Sequence, residues 1–102
     1  MEFHAPDTPI TRGQVTVPRL SFFYGIAIYL YYEDHPPPHI HARYGEHEAK
    51  VDITTGDIIG GSLPRRAARL VAEWVAEHAN ELAACWERAT SGEEPGTIEP
   101  LQ

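Results

Sequence analysis

The chain has little that would staple it, anchor it or draw it to a polyanion. It holds one cysteine in 102 residues, Cys85, so no intramolecular disulfide can form. Cys85 falls in a helical pattern among alanines and beside Trp86, with Glu81 and Glu87 nearby. That is the setting of a small buried hydrophobe, not of an electropositive reactive thiolate. No apolar run reaches the roughly 18 residues that a membrane span needs. Met1-Glu2-Phe3-His4 has neither the basic nor the apolar region of a secretory signal. A soluble protein of the reducing cytoplasm, with no membrane contact, is expected. Positive charge is scarce: 8 Lys and Arg against 15 Asp and Glu give a net charge of −7. Binding to nucleic acid is therefore not favoured as a bulk property, since that affinity comes from neutralising phosphates. No serine, threonine or cysteine nucleophile motif is present. The length is that of one domain with a modest core.

What is there is concentrated. Glu33-Asp34-His35-Pro36-Pro37-Pro38-His39-Ile40-His41 carries three of the chain's 6 histidines and three of its 9 prolines. Residues 1–14 are polar, hold Pro6, Pro9 and Gly13, and read as a flexible N-terminal arm. The run Ser21 to Tyr32 is rich in aromatic and β-branched residues on both faces, the pattern of one central strand. One helix can cover only one of those faces, so the other points to a partner, to self-association or to the terminal arms.

After the prolines, His39 to Tyr44 and His47 to Ile53 flank Gly45-Glu46, which suits a two-residue type II′ turn. That register pairs Tyr44 with His47, Arg43 with Glu48, Ala42 with Ala49, His41 with Lys50, Ile40 with Val51 and His39 with Asp52. The apolar residues then share one face and the polar ones the other, which a one-residue slip would undo. Ile58-Ile59 reads as a short further strand. Ser62 reads as the N-cap of a long helix with Pro64 in its first turn and Ser91-Gly92 at its end. Its apolar stripe is Ala67, Leu70, Val71, Trp74, Val75, Leu82, Cys85, Trp86 and Ala89. The expected architecture is α+β. A three- to four-stranded, mainly antiparallel sheet is covered on one face by one long C-terminal helix, in a single domain over residues 15–92. Residues 93–102 form a tail whose Ile98 and Leu101 either dock or make an edge strand.

His39 and His41, two apart on a strand, have Cα atoms about 6.6 Å apart on one face. Imidazoles at that spacing can converge on a divalent transition metal such as zinc, with Asp52 as a ligand or an orienting partner. His35 is a third candidate ligand. An extended proline run at about 3.1 Å per residue would hold it roughly 12 Å from His39, and Lys50 opposite His41 repels a cation. The same residues also fit acid–base work: a histidine titrating near neutrality, oriented by Asp34, Asp52 or Glu48, with Arg43 and Lys50 holding a phosphate. The third reading is structural, with the histidines bonding the loop and sheet or meeting a partner. Arg65, Arg66 and Arg69 crowd the helix start, against the macrodipole. Either nearby acids such as Asp57 and salt offset them, or they face an anion.

These residues resemble those of a family of small prokaryotic proteins catalogued as a domain of unknown function, DUF4160. The resemblance runs from Phe22-Phe23-Tyr24-Gly25-Ile26 through Asp34-His35-Pro36-Pro37-Pro38-His39-Ile40-His41-Ala42. It continues over Glu48-Ala49, Asp52-Ile53, Leu63-Pro64-Arg65-Arg66-Ala67, Glu73-Trp74 and Trp86 to Ile98-Glu99-Pro100-Leu101. It implies a small α+β fold and a bacterial cytoplasmic protein, often encoded beside another small protein in arrangements like toxin–antitoxin pairs. It implies no established activity. The leading expectation is a small protein-binding or regulatory module, one component of a toxin–antitoxin-like pair. It would bind its partner through His35, Arg43, Lys50, Arg65, Arg66 and Arg69 and the aromatic strand. The rival is a metal-dependent or histidine acid–base hydrolase of a phosphodiester such as RNA, with His39, His41 and Asp52 catalytic.

Overall fold

The structure, a computed structural model, describes residues 10–12, 15–32 and 34–102. Most of the expected arm lies outside the described residues. Its residues Ile10–Arg12 form β1, which pairs antiparallel with β2 (Val15–Val17), at the start of the expected domain, in a two-stranded ribbon. The main sheet is an antiparallel meander of five strands in chain order. They are β3 (Arg19–Phe23), β4 (Ile26–Tyr29), β5 (His39–Tyr44), β6 (His47–Asp52) and β7 (Ile58–Gly61). Two helices follow, α1 (Arg65–Glu77) and α2 (Ala79–Thr90). The α+β class and the antiparallel sheet are as expected; the strand count and the single helix are not.

The extra strand comes from the aromatic run. It is not one central strand but a hairpin, β3 and β4, folded at Tyr24-Gly25 with φ of 51° and 80°. Two successive positive φ values are the signature of a type I′ turn, whose twist matches that of the flanking strands. Gly25 lies against Tyr44, where an added Cβ would come within 3.3 Å of the ring. Folding the run on itself also removes the problem of its two apolar faces. Phe23, Ile26, Ile28 and Leu30 enter the core, while Phe22 and Tyr24 are left 46% and 52% exposed.

The β5–β6 hairpin has the expected register at all six pairs, from His39 with Asp52 to Tyr44 with His47. Gly45 turns with φ 59°. Ile40, Ala42, Ala49 and Val51 are buried in the core. β7 lies so close to β6 that a Cβ on Gly61 would stand 2.1 Å from the Glu48 carbonyl oxygen. No residue but glycine fits there.

The long helix is interrupted at His78, whose φ of −119° and ψ of 29° leave the helical region. Its N–H reaches both Trp74 O (3.1 Å) and Val75 O (3.3 Å), and its ring pairs with the Glu81 carboxylate. The His78 carbonyl still accepts from Leu82 N–H at 2.8 Å, so the apolar stripe carries on in phase across the break. Ser62 does not cap α1. The helix starts at Arg65, Pro64 holds the cap position with φ −57° and ψ 151°, and no side chain bonds the first turn. The Ser62 N–H instead donates to Glu48 O at 3.2 Å. At the far end, Gly92 N–H donates to Ala89 O and Glu93 N–H to Arg88 O, closing a Schellman motif at the expected Ser91-Gly92.

Trp74, fully buried, packs on Phe23 with ring centroids 5.4 Å apart and donates its indole N–H to Glu99 O at 2.8 Å. The tail docks: Ile98 and Leu101 are buried, and Ile98 N–H donates to Leu20 O of β3 at 2.8 Å. Arg88 and the buried Cys85 thiol both donate to Pro95 O. Burial raises the Cys85 pKa, with nearby Arg88 opposing it. Among the described residues no helix is long and apolar enough to cross a membrane.

Candidate functional site

The site is built where the proline loop meets β5. β5 presents His39 and His41 two residues apart, and both are buried, at 3% and 5% exposure. The loop doubles back over them, with Pro36–Pro37 cis, and brings Asp34 to the pair. Asp34 Oδ2 lies 3.0 Å from His39 Nε2 and 3.2 Å from His41 Nε2. One donor atom from each of the three residues falls within 4.8 Å of the others.

The surroundings fix each ring. His39 Nδ1 is 2.7 Å from Pro37 O, an atom that can only accept, so Nδ1 carries the proton and donates it. The His39 ring packs against Trp86 of α2 with centroids 5.4 Å apart. The His41 ring is stacked on Tyr31 at 3.9 Å and 7°. Its Nε2 bonds Asp34, and its Nδ1 faces Glu48 Oε2 at 3.9 Å. The Tyr31 hydroxyl donates to the same Glu48 oxygen at 3.4 Å.

Burial works to raise the Asp34 pKa, but the His35 N–H bond to Oδ1 and the two imidazoles outweigh it, so the carboxyl is held below its usual range. For His41 burial wins over the attraction of Asp34, and its pKa is lowered. At neutral pH the site therefore sets a carboxylate against a neutral imidazole. Beside it opens a groove of about 530 Å³, lined by Tyr31, Asp34, His41, Glu48 and Lys50 and, from β7, by Ile59, Gly60 and Gly61.

The other candidates lie elsewhere. Asp52 is opposite His39 in register, yet its Oδ1 accepts from Thr54 N–H (2.7 Å) and Thr55 N–H (3.2 Å). Its carboxylate holds the turn after β6 instead of meeting the histidines. His35 is exposed and is not among the three clustered donors. Arg43 faces Glu48 at 3.9 Å, both about half exposed. Lys50 lines the groove. Arg65, Arg66 and Arg69 are exposed on α1, with no acid within ion-pair distance among the described residues. Arg66 lies with Tyr24, Tyr44 and Pro64 around a separate small pocket.

Asp34 is the residue that sequence reasoning undervalued, as one of several orienting acids and not as a member of the cluster. The signal was its place just before the prolines, but only the reversal of the loop turns that place into contact.

The model of the domain of unknown function DUF4160 matches residues 25–87. The chain belongs to the DUF4160 family. The match takes in Asp34, His39, His41, Glu48 and Lys50 and the arginines of α1; β3 and the docked tail lie outside it. No curated protein and no solved structure matches the chain.

Proposed function

We propose that this DUF4160 protein is a cytoplasmic hydrolase of an anionic, phosphodiester-type substrate, RNA being the natural example, with Asp34, His39 and His41 as the working cluster. The observation that carries this is the convergence of both imidazoles on Asp34 Oδ2, at 3.0 and 3.2 Å, beside an open groove. A passive binding face has no need to aim two buried histidines at one carboxylate oxygen. Phosphodiester hydrolysis needs a group that takes a proton from water and one that returns it to the leaving oxygen, and imidazole set by a carboxylate suits both. Lys50 at the groove and Arg43 on the adjoining strand position supply the cations for phosphate.

The test is cleavage of a fluorogenic RNA and of a nitrophenyl phosphodiester by untagged protein. Turnover should fall at least about 100-fold in His41→Ala and Asp34→Asn, the size expected for loss of an acid–base group. Turnover indistinguishable from buffer, or unchanged in both variants, overturns the reading.

A second reading, a regulatory module that binds a small protein partner or a second copy of itself, has its own support. Phe22, Tyr24 and Tyr44 are exposed aromatic residues, and Tyr24 and Tyr44 adjoin Arg66 at the start of α1. Aromatics edged by arginine are the usual anchors of an interface. On this reading the chain is one member of a toxin–antitoxin-like pair. Co-expression with and without the neighbouring gene checks it: growth arrest relieved by the neighbour supports it, and harmless expression alone counts against the toxin role.

A further inference from the structure

The geometry points to a divalent transition-metal site, of the zinc class, whose protein ligands are Asp34 Oδ2, His39 Nε2 and His41 Nε2. It rests on the reading that this cluster is the working site, and it names the cofactor.

The argument starts from His39. Its Nδ1–H is committed to Pro37 O. A neutral ring therefore presents a bare lone pair at Nε2. That atom is buried and has no hydrogen-bond partner among the described residues, although Asp34 Oδ2 is 3.0 Å away. A lone pair and a carboxylate oxygen at that range repel unless a cation lies between or beside them. A buried polar atom left without a partner loses its hydration with nothing in return, so its retention points to something that uses it.

The two spacings from Asp34 fit an ion, and the three donor atoms lie within 4.8 Å of one another, so the histidine nitrogens would close on it when it binds. Ligands at about 2.0–2.1 Å from tetrahedral zinc stand about 3.3 Å from one another. Asp34 Oδ2 stands 3.0 and 3.2 Å from the two nitrogens. The outer contact of His39 matches as well. Metal-bound histidine hands its remaining N–H to a carbonyl or carboxylate. His39 gives Nδ1–H to Pro37 O, while Glu48 Oε2 stands 3.9 Å from His41 Nδ1, beyond hydrogen-bond reach.

Two nitrogens and one oxygen select zinc, cobalt or a similar ion over calcium or magnesium. Three protein ligands with a groove on the Asp34 and His41 side leave a coordination position open to solvent, as catalytic sites do. Lys50 does not forbid the ion: its side chain is exposed on a flexible stem, and the carboxylates of Asp34 and Glu48 share the groove.

The test is titration of chelator-stripped, untagged protein with Zn²⁺ by calorimetry and with Co²⁺ by visible absorption. The expected result is one ion per chain, with cobalt bands of a mixed nitrogen and oxygen site. Affinity should drop roughly 10–100-fold or more in Asp34→Asn and His41→Ala. Asp34→Asn keeps the shape of the loop residue, and urea melts of both variants separate lost ligands from lost fold. His47→Gln, at the exposed turn end of β6, should bind as the parent does. Binding weaker than about 100 μM, a free energy under about 5.5 kcal/mol, overturns the proposal. So does binding that both ligand variants leave untouched. In either case the histidines and Asp34 share a proton and not an ion. Tight metal binding without turnover retires the hydrolase and leaves the metal site. Turnover that survives full chelation retires the metal site and leaves the hydrolase.

Discussion

The β5–β6 hairpin has two ends of opposite character. At the loop end, His39, Ile40, His41 and Ala42 are all buried; Pro37 O and Trp86 hold His39, and Asp34 and Tyr31 hold His41. At the turn end, Arg43, Tyr44, His47 and Glu48 are exposed. Both ends obey the same pairing rule and carry the same kinds of residue, histidine included. The difference lies in what is laid over them: a folded-back loop and α2 at one end, solvent at the other. Strand position alone therefore says which residues share a face and nothing of which become a site.

Stability measurements by urea denaturation set that contrast in numbers. The largest effect is expected at the loop end. Ile40→Ala, at a fully buried position, should cost about 2–5 kcal/mol, whereas Tyr44→Ala, 37% exposed at the turn end, should cost under about 1 kcal/mol. Equal losses would mean that the two ends are buried alike. Next comes Asp52→Ala. Losing two turn hydrogen bonds should cost about 1–2 kcal/mol while zinc affinity stays put; a fall in affinity would restore Asp52 to the site. Arg43→Ala should change stability by less than about 0.5 kcal/mol, because its pairing with Glu48 at 3.9 Å lies in solvent. Smallest of all, His35→Ala should leave zinc stoichiometry and affinity unaltered. A tenfold loss would put it in the ligand set after all.

Much of this was legible in the residues and some was not. The hairpin register followed from alternation, because only one pairing gathers Ile40, Ala42, Ala49 and Val51 together. The Tyr24-Gly25 turn was hidden because apolar residues flank it on both sides and tyrosine seldom takes a positive φ. The break at His78 was hidden because a single non-helical residue leaves the i to i+4 bond from Leu82 intact and the stripe in phase. Asp34 was hidden for a different reason. Consecutive prolines read as a stiff extended spacer, yet the loop reverses, held where Ile53 N–H donates to Pro38 O at 3.1 Å. Each hidden feature is a local backbone choice that side-chain pattern does not encode.

The two tryptophans each sit beside an imidazole: Trp86 beside His39 and Trp74 beside His78, both at 5.4 Å between centroids. An imidazolium, or an open-shell ion such as Co²⁺, at that range quenches the excited indole. The molecule thus carries two native optical reporters, one looking at the buried cluster and one at the helix break. Since only Trp86 touches the cluster, fluorescence of a Trp74→Phe protein would follow events at His39 without any added dye.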